Sequence, residues 1–330
     1  MLYDTIYVRK NKVPSEWMFF MRFDNQTGVN VTVNSLNNLF TSSSGSPVLQ
    51  TAVVERAGNV INNVKGSGNS VLNFNVANNE QCVFRMTWTG GVFGLQGINS
   101  SSSHNSYIYI IRSAGCKIGG NFGVPNYFMS QLFYGCVNYN QQSGDIFDTS
   151  DWYTTGSIGE RFMYETWRGC SSLTTAVVPD TTNWNVTGIG DRFMQNTWQN
   201  CTSLNTGVVP DTTNWNITGN IGVMFMINTW RGCSALTTCV VPDTTNWNVT
   251  TIAYNFMTST WQDAFNSILN NGILTLKGSI YTGSIQMLQT NSGGLTDARV
   301  LNIKVDPGLI STYQTSPSWT NITPSKFISW

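Results

Sequence analysis

The stretch Val177–Thr187 reads VVPDTTNWNVT, and the chain spells it again as VVPDTTNWNIT at Val208–Thr218 and VVPDTTNWNVT at Val240–Thr250. Each copy is a β-branched run stopped by proline, followed by Asp, Thr and Asn side chains suited to bonding their own backbone in a turn. The flanks repeat as well. Phe162-Met163, Phe193-Met194, Phe225-Met226 and Phe256-Met257 lie 31, 32 and 31 residues apart. Trp167, Trp198, Trp230 and Trp261 keep the same steps, while Pro179, Pro210 and Pro242 recur once per copy with Trp184, Trp215 and Trp247. A degenerate copy, FMSQLFYGC at Phe128–Cys136 with DTSDW at Asp148–Trp152, precedes them. A fixed period of about 20–50 residues is the signature of stacked supersecondary units.

One unit divides into three parts. RFMYETWRGC (Arg161–Cys170) places Phe162, Met163, Thr166, Trp167 and Cys170 at helix-like offsets, which predicts a short helix or 3₁₀ segment ended by Gly169. LTTAVVP predicts a strand, and DTTNWN predicts a turn. Units stacked at about 4.8 Å would set equivalent residues in columns.

The pattern F-M…W-x-x-C-S-x-L-T…N-W-N-V-T resembles the BspA-type leucine-rich repeats of bacterial surface proteins and phage-encoded proteins. LNIKVDPGLISTYQTSPSWTNI (Leu301–Ile322) resembles the segment that closes such arrays. The likeness covers residues ~125–325. It departs from the family in its longer repeat and in tryptophan standing where phenylalanine is usual. The resemblance implies a solenoid with a binding or surface role, and no catalytic residues.

The predicted fold is therefore mainly β, in three regions. Residues 1–120 lack the repeat. NVTVNSL, VLNFNVA, CVFRMTWTG and YIYIIRS are strand-length segments of an antiparallel, sandwich-like domain. WMFFM (Trp17–Met21) is read as a buried strand, and TSSSGS (Thr41–Ser46) and INSSSSHNS (Ile98–Ser106) as loops. CKIGGNFGVPN (Cys116–Asn126) marks the boundary. Residues 121–264 form the leucine-rich-repeat-like solenoid with its short helical segments. Residues 265–330 form a C-terminal cap, since Ala264 replaces the cysteine and the VVPDTTNWN block then disappears.

Charged residues make up 10% of the chain against about 25% in an average soluble protein. Lys plus Arg equals Asp plus Glu at 17 each, so no net field favours a nucleic-acid partner. No apolar run reaches the ~18–20 residues of a membrane span, and the N-terminus does not read as a signal peptide.

Enzymatic chemistry finds little material. The one histidine, His104, sits in a serine-rich loop and reads as solvated. No cofactor motif is present, and GGNFG (Gly119–Gly123) lacks the context of a dinucleotide fingerprint. A carbohydrate-active site would require Glu160, Glu165 and Asp191 to meet in a cleft. The column Asp180, Asp211 and Asp243 admits calcium or plain turn-capping, with capping the better reading for one carboxylate per unit. Of seven cysteines, none in a Cys-x-x-Cys pair, Cys136, Cys170, Cys201 and Cys233 form a column, read as buried thiols over disulfides. Trp167, Trp198, Trp230 and Trp261 read as interior filler. Trp184, Trp215 and Trp247 lie among polar residues and, with the three aspartates, are the candidate ligand-facing residues. N-x-S/T sequons such as Asn185, Asn216 and Asn248 arise readily in this composition.

The expected function is a non-enzymatic, surface-exposed structural or binding protein. A virion component such as a spike, tail fibre or head decoration leads, self-associating or joining other virion proteins and meeting a host protein or glycan. A bacterial cell-surface adhesin is the alternative.

Overall fold

In a computed structural model the described residues are 17–25, 28–33, 40–44, 48–89, 92–95, 110–112, 124, 126–137, 154–176, 178–264, 272–277, 300–316, 319 and 322–329. They are β-rich, and the one α-helix among them is α1 (Ile310–Thr315).

The N-terminal strands pair antiparallel. β1 (Trp17–Asn25), which contains WMFFM, lies between β7 (Glu80–Thr89) and β9 (Ile110–Arg112). On its other side β7 pairs with β4 (Val48–Arg56), whose outer neighbour is the fully exposed β5 (Asn59–Asn63). Strict alternation explains β7, where Cys82, Phe84, Met86 and Trp88 all point into the core. In β4 the buried residues Leu49 and Ala52 are three apart, and a register shift between Leu49 and Thr51 restores the phase. A ribbon of β2 (Val31–Val33) and β6 (Phe74–Val76) packs on this sheet through Phe74, stacked at 5.9 Å on Phe84. A second ribbon joins β3 (Phe40–Ser44) to β8 (Val92–Leu95). Thr41–Ser44 of the expected loop TSSSGS are therefore strand. INSSSSHNS with His104 lies outside the described residues, as does most of the expected boundary segment.

From Val124, bridged to Ile158, pairing becomes parallel. One sheet runs β10 (Thr154–Ile158), β11 (Trp184–Ile189), β13 (Thr218–Ile221) and β15 (Asn248–Ile252). The other runs β12 (Thr206–Gly207), β14 (Thr238–Asp243), β16 (Gly272–Lys277), β17 (Val300–Val305) and β18 (Phe327–Ser329). Pairs such as Ile189↔Ile221 and Thr206↔Thr238 join equivalent positions of successive repeats. The DTTN turn connects the two sheets within each repeat.

The expected helix at Arg161–Cys170 does not form. Arg161, Met163 and Glu165 have φ of 61°, 52° and 53°, and the same alternation recurs at Arg192, Met194 and Asn196. An α-helix needs right-handed φ throughout and uses its N–H groups internally. Here half of them do so: Tyr164, Thr166, Arg168 and Cys170 donate to carbonyls three residues back. The intervening N–H groups of Glu165, Trp167 and Gly169 donate instead to Gln195, Thr197 and Gln199 of the next repeat at 2.8–2.9 Å. Met163 N–H donates back to Phe128 at 2.8 Å. The segment is thus a run of turns forming a ladder between repeats. The Phe/Met/Thr/Trp spacing that mimics a helix sets the inward face of this ladder instead.

The region expected as a cap lengthens the second sheet by β16, β17 and β18. It ends in a cluster where Tyr313, Trp319 and Phe327 meet at 5.7–6.0 Å.

Like stacks on like inside the repeats. Phe128, Phe162, Phe193, Phe225 and Phe256 stack at 5.0–5.5 Å. Phe133, Trp167, Trp198, Trp230 and Trp261 form a second aromatic column at 5.7–6.4 Å. All ten rings are buried, consistent with the filler reading of that tryptophan column.

Candidate functional site

The sequence points first to the DTTNW corner. After each turn the chain enters a strand, so side chains alternate in and out. Tryptophan takes the inward position. Trp184 and Trp215 are 1% and 0% exposed, packed edge-on against Phe162 and Phe193 at 6.1 and 6.0 Å. Trp247 is half-buried and meets Phe225 in the same way at 6.3 Å. The expectation that these indoles face a ligand is corrected: a large apolar ring beside the phenylalanine column gains more by burial than by exposure. The outward positions belong to Asn185, Asn216 and Asn248, all exposed.

The aspartates build the turns. Asp180, Asp211 and Asp243 each accept, through Oδ1, the N–H of the residue two ahead (Thr182, Thr213 and Thr245) at 2.9–3.0 Å. Such an Asx turn explains one Asp per repeat. Among the described residues no cluster of His, Cys, Asp and Glu suits a metal ion. Asp180 and Asp211 remain exposed, and Asp243 is half-buried beside Lys277 in register. Neighbouring turns are tied by Asn214 and Asn246, whose Nδ2 groups donate to the carbonyls of Thr182 and Thr213 at 2.9 Å.

The thiols are interior. Cys170, Cys201 and Cys233 donate from Sγ to the carbonyls of Phe133, Trp167 and Trp198 at 3.0–3.1 Å. Burial pushes the Cys136 and Cys233 thiols up to about 12 and those of Cys170 and Cys201 well above their ordinary value. These cysteines are free and buried, and burial favours the protonated thiol. Beside them runs a hydroxyl column without a clear sequence signal, because threonine at a helix-like offset looks like a neutral surface residue. Thr166, Thr197, Thr229 and Thr260 donate to the carbonyls of Met129, Met163, Met194 and Met226 at 2.7–3.0 Å.

The ladder also carries charged groups. Glu165 is 4% exposed and is bound by Arg168 Nη1 at 2.5 Å, Gln131 Nε2 at 2.8 Å and Asn196 Nδ2 at 3.1 Å. Burial, reinforced by Glu165, holds the Tyr164 phenol above its ordinary value. Arg161 lies over the Tyr127 ring at 4.7 Å and pairs with Glu160 at 3.2 Å. Asp191 Oδ1 accepts the Val223 N–H at 2.9 Å. Glu160, Glu165 and Asp191 are thus each engaged in a different local bond, so what they build is the ladder.

Laid over one another, the three full repeats differ in the ladder and in the residues flanking the VVPDTTNWN block. Ladder positions change from copy to copy: Arg161, Arg192 and Met224; Tyr164, Gln195 and Ile227; Glu165, Asn196 and Asn228. The nine residues from Val177 to Asn185 are identical in all three copies. No family model, no curated protein and no solved structure matches this chain.

Proposed function

We propose that this chain is a non-enzymatic, surface-exposed binding and structural protein whose repeats form a solenoid of the BspA-like leucine-rich-repeat kind. A virion component, such as a spike, tail fibre or head decoration, is the leading form of that reading. The observation that carries it is how the polar groups are spent. Carboxylates cap turns or brace the ladder, thiols and threonine hydroxyls donate to the preceding repeat, and main-chain donors bond to the repeats on both sides. Groups committed to such bonds hold neighbouring repeats in one register, as a scaffold requires. On the strand face what remains outward is Asn and Thr, with Asn185, Thr187, Asn216, Thr218 and Asn248 exposed, suited to contact without strong electrostatic steering. In this reading the antiparallel region at residues 1–120 assembles with other copies or with other particle proteins, and the repeats meet the host.

The test is location. Density-purified particles from the source culture should contain the full chain by mass spectrometry, and gold-labelled antibody should mark their exterior in electron micrographs. A chain absent from particles, or reached by antibody only after they are broken, overturns the virion reading. Label on intact cell envelopes instead would establish the adhesin alternative, which the same outward Asn/Thr surface supports.

A further inference from the structure

We infer that the outward strand face carrying Asn185, Asn216 and Asn248, with Thr187 and Thr218 beside them, is a contact surface for a linear, uncharged polysaccharide. The inference rests on the surface-binding reading above and names its partner, whether the chain stands on a particle or on a cell.

The argument begins with what stacking explains and what it leaves over. Identity within the DTTNW block is demanded at most positions. Asp180, Asp211 and Asp243 close the turns, Asn214 and Asn246 tie turn to turn, and the tryptophans fill the space beside the phenylalanines. Asn185, Asn216 and Asn248 have no such duty. Their side chains are exposed and take no part in the turn closures or in the ties between turns. Thr187 and Thr218 are likewise exposed. Exposed side chains free of structural bonds ordinarily tolerate replacement.

The ladder shows that replacement did occur in these repeats. Exposed or half-buried positions flanking it read Glu160, Asp191 and Val223 on one side, and Thr174, Asn205 and Thr237 on the other. Both halves of a repeat were copied together, so the age of duplication does not separate them. A contact from outside does.

The chemistry of the face then specifies the partner. A surface that presents the same amide in all three repeats, with the same hydroxyl at Thr187 and Thr218, offers one contact several times, and only a partner that is itself periodic uses all of them. Each amide supplies donors and an acceptor, and each hydroxyl does both, which matches the hydroxyl groups of a sugar polymer. No Lys or Arg stands among these positions, so the polymer need carry no anionic group. The indoles are turned inward, so recognition proceeds through hydrogen bonds and not through ring stacking.

The experiment uses the full chain against a panel of insoluble cellulose, chitin, mannan and β-1,3-glucan, with soluble oligosaccharides of graded length from each, and dextran sulfate as the charged control. The expected result is retention on at least one neutral polymer, with affinity rising as the oligosaccharide lengthens. Each of Asn185→Ala, Asn216→Ala and Asn248→Ala should weaken binding several-fold, and the triple variant on the order of a hundredfold. A ladder variant, Arg192→Ala with Gln195→Ala, should bind like the parent. Circular dichroism confirms that each variant keeps its fold, and Asn216→Lys gives an independent block of the same face. Retention on none of the neutral polymers, retention on dextran sulfate alone, or binding that survives the triple variant overturns the inference. None of these results bears on where the chain is displayed, which the labelling experiment decides separately.

Discussion

At the scale of single residues, the repeats are governed by side chains that close hydrogen bonds from one copy to the next. Thr197 is buried and donates to the Met163 carbonyl at 2.7 Å. Thr197→Val keeps the shape and leaves that carbonyl short of a partner, so it should destabilise the chain by about 1–3 kcal/mol in urea unfolding. The thiols give a pH signature. A folded-state thiol held above its ordinary 9.0 stabilises the fold fully below that pH, and the contribution is lost as pH rises toward about 12. Melting temperature should therefore stay level up to about pH 9 and fall above it. Cys170, Cys201 and Cys233 should resist alkylation until the chain is unfolded. The sequence announced these cysteines by their period, and buried thiols were the expected reading. Glu165 stood out only as a candidate cleft carboxylate, and its burial went unannounced, because a charged residue at a position otherwise occupied by Asn looks like surface drift. Only the three donors around its carboxylate show why it is buried.

At the scale of elements, the ladder is where periodicity misleads. Phe162, Met163, Thr166 and Trp167 do share an inward face, yet a period near 3.6 is also produced by turns in which left- and right-handed residues alternate. The deciding factor lies outside the segment: the next repeat offers carbonyls to half of its N–H groups. Holding Met163 or Met194 at positive φ costs about 1–2 kcal/mol for a non-glycine residue, which the bonds to both neighbours and complete burial offset. The close fit of ladder on ladder is visible at Gly222, where an added Cβ would lie 2.5 Å from the Gly190 carbonyl carbon and 2.6 Å from the Asp191 nitrogen. Gly222→Ala forces main chain apart and should lower stability by about 1–3 kcal/mol, read as a drop in melting temperature. The turn was legible because its signal is local, an Asp that bonds two residues ahead; the proline was a poorer guide, since β12 covers only Thr206–Gly207 and β14 runs through Pro242 to Asp243. Strands β16, β17 and β18 were less so, since no repeat marks them and their register is fixed by the sheet they join.

At the scale of the whole molecule, antiparallel pairing among the first strands gives way to parallel pairing through the repeats. The antiparallel part could be anticipated from alternating segments, although the order of its five-stranded sheet could not, because it depends on long-range register. The triple spelling of VVPDTTNWNVT now has two separate causes. Stacking accounts for the turn, the tie between turns and the inward tryptophan. It does not account for the outward asparagine, and that remainder locates the candidate contact face. The most direct test of the underlying claim is amide hydrogen exchange, resolved by peptide, across 161–170, 192–201 and 224–233. If each ladder is bonded to the next repeat, the N–H groups of Glu165, Trp167 and Gly169 and their equivalents will exchange slowly and together, lost only on global unfolding. Exchange there as fast as in an exposed turn would contradict the account.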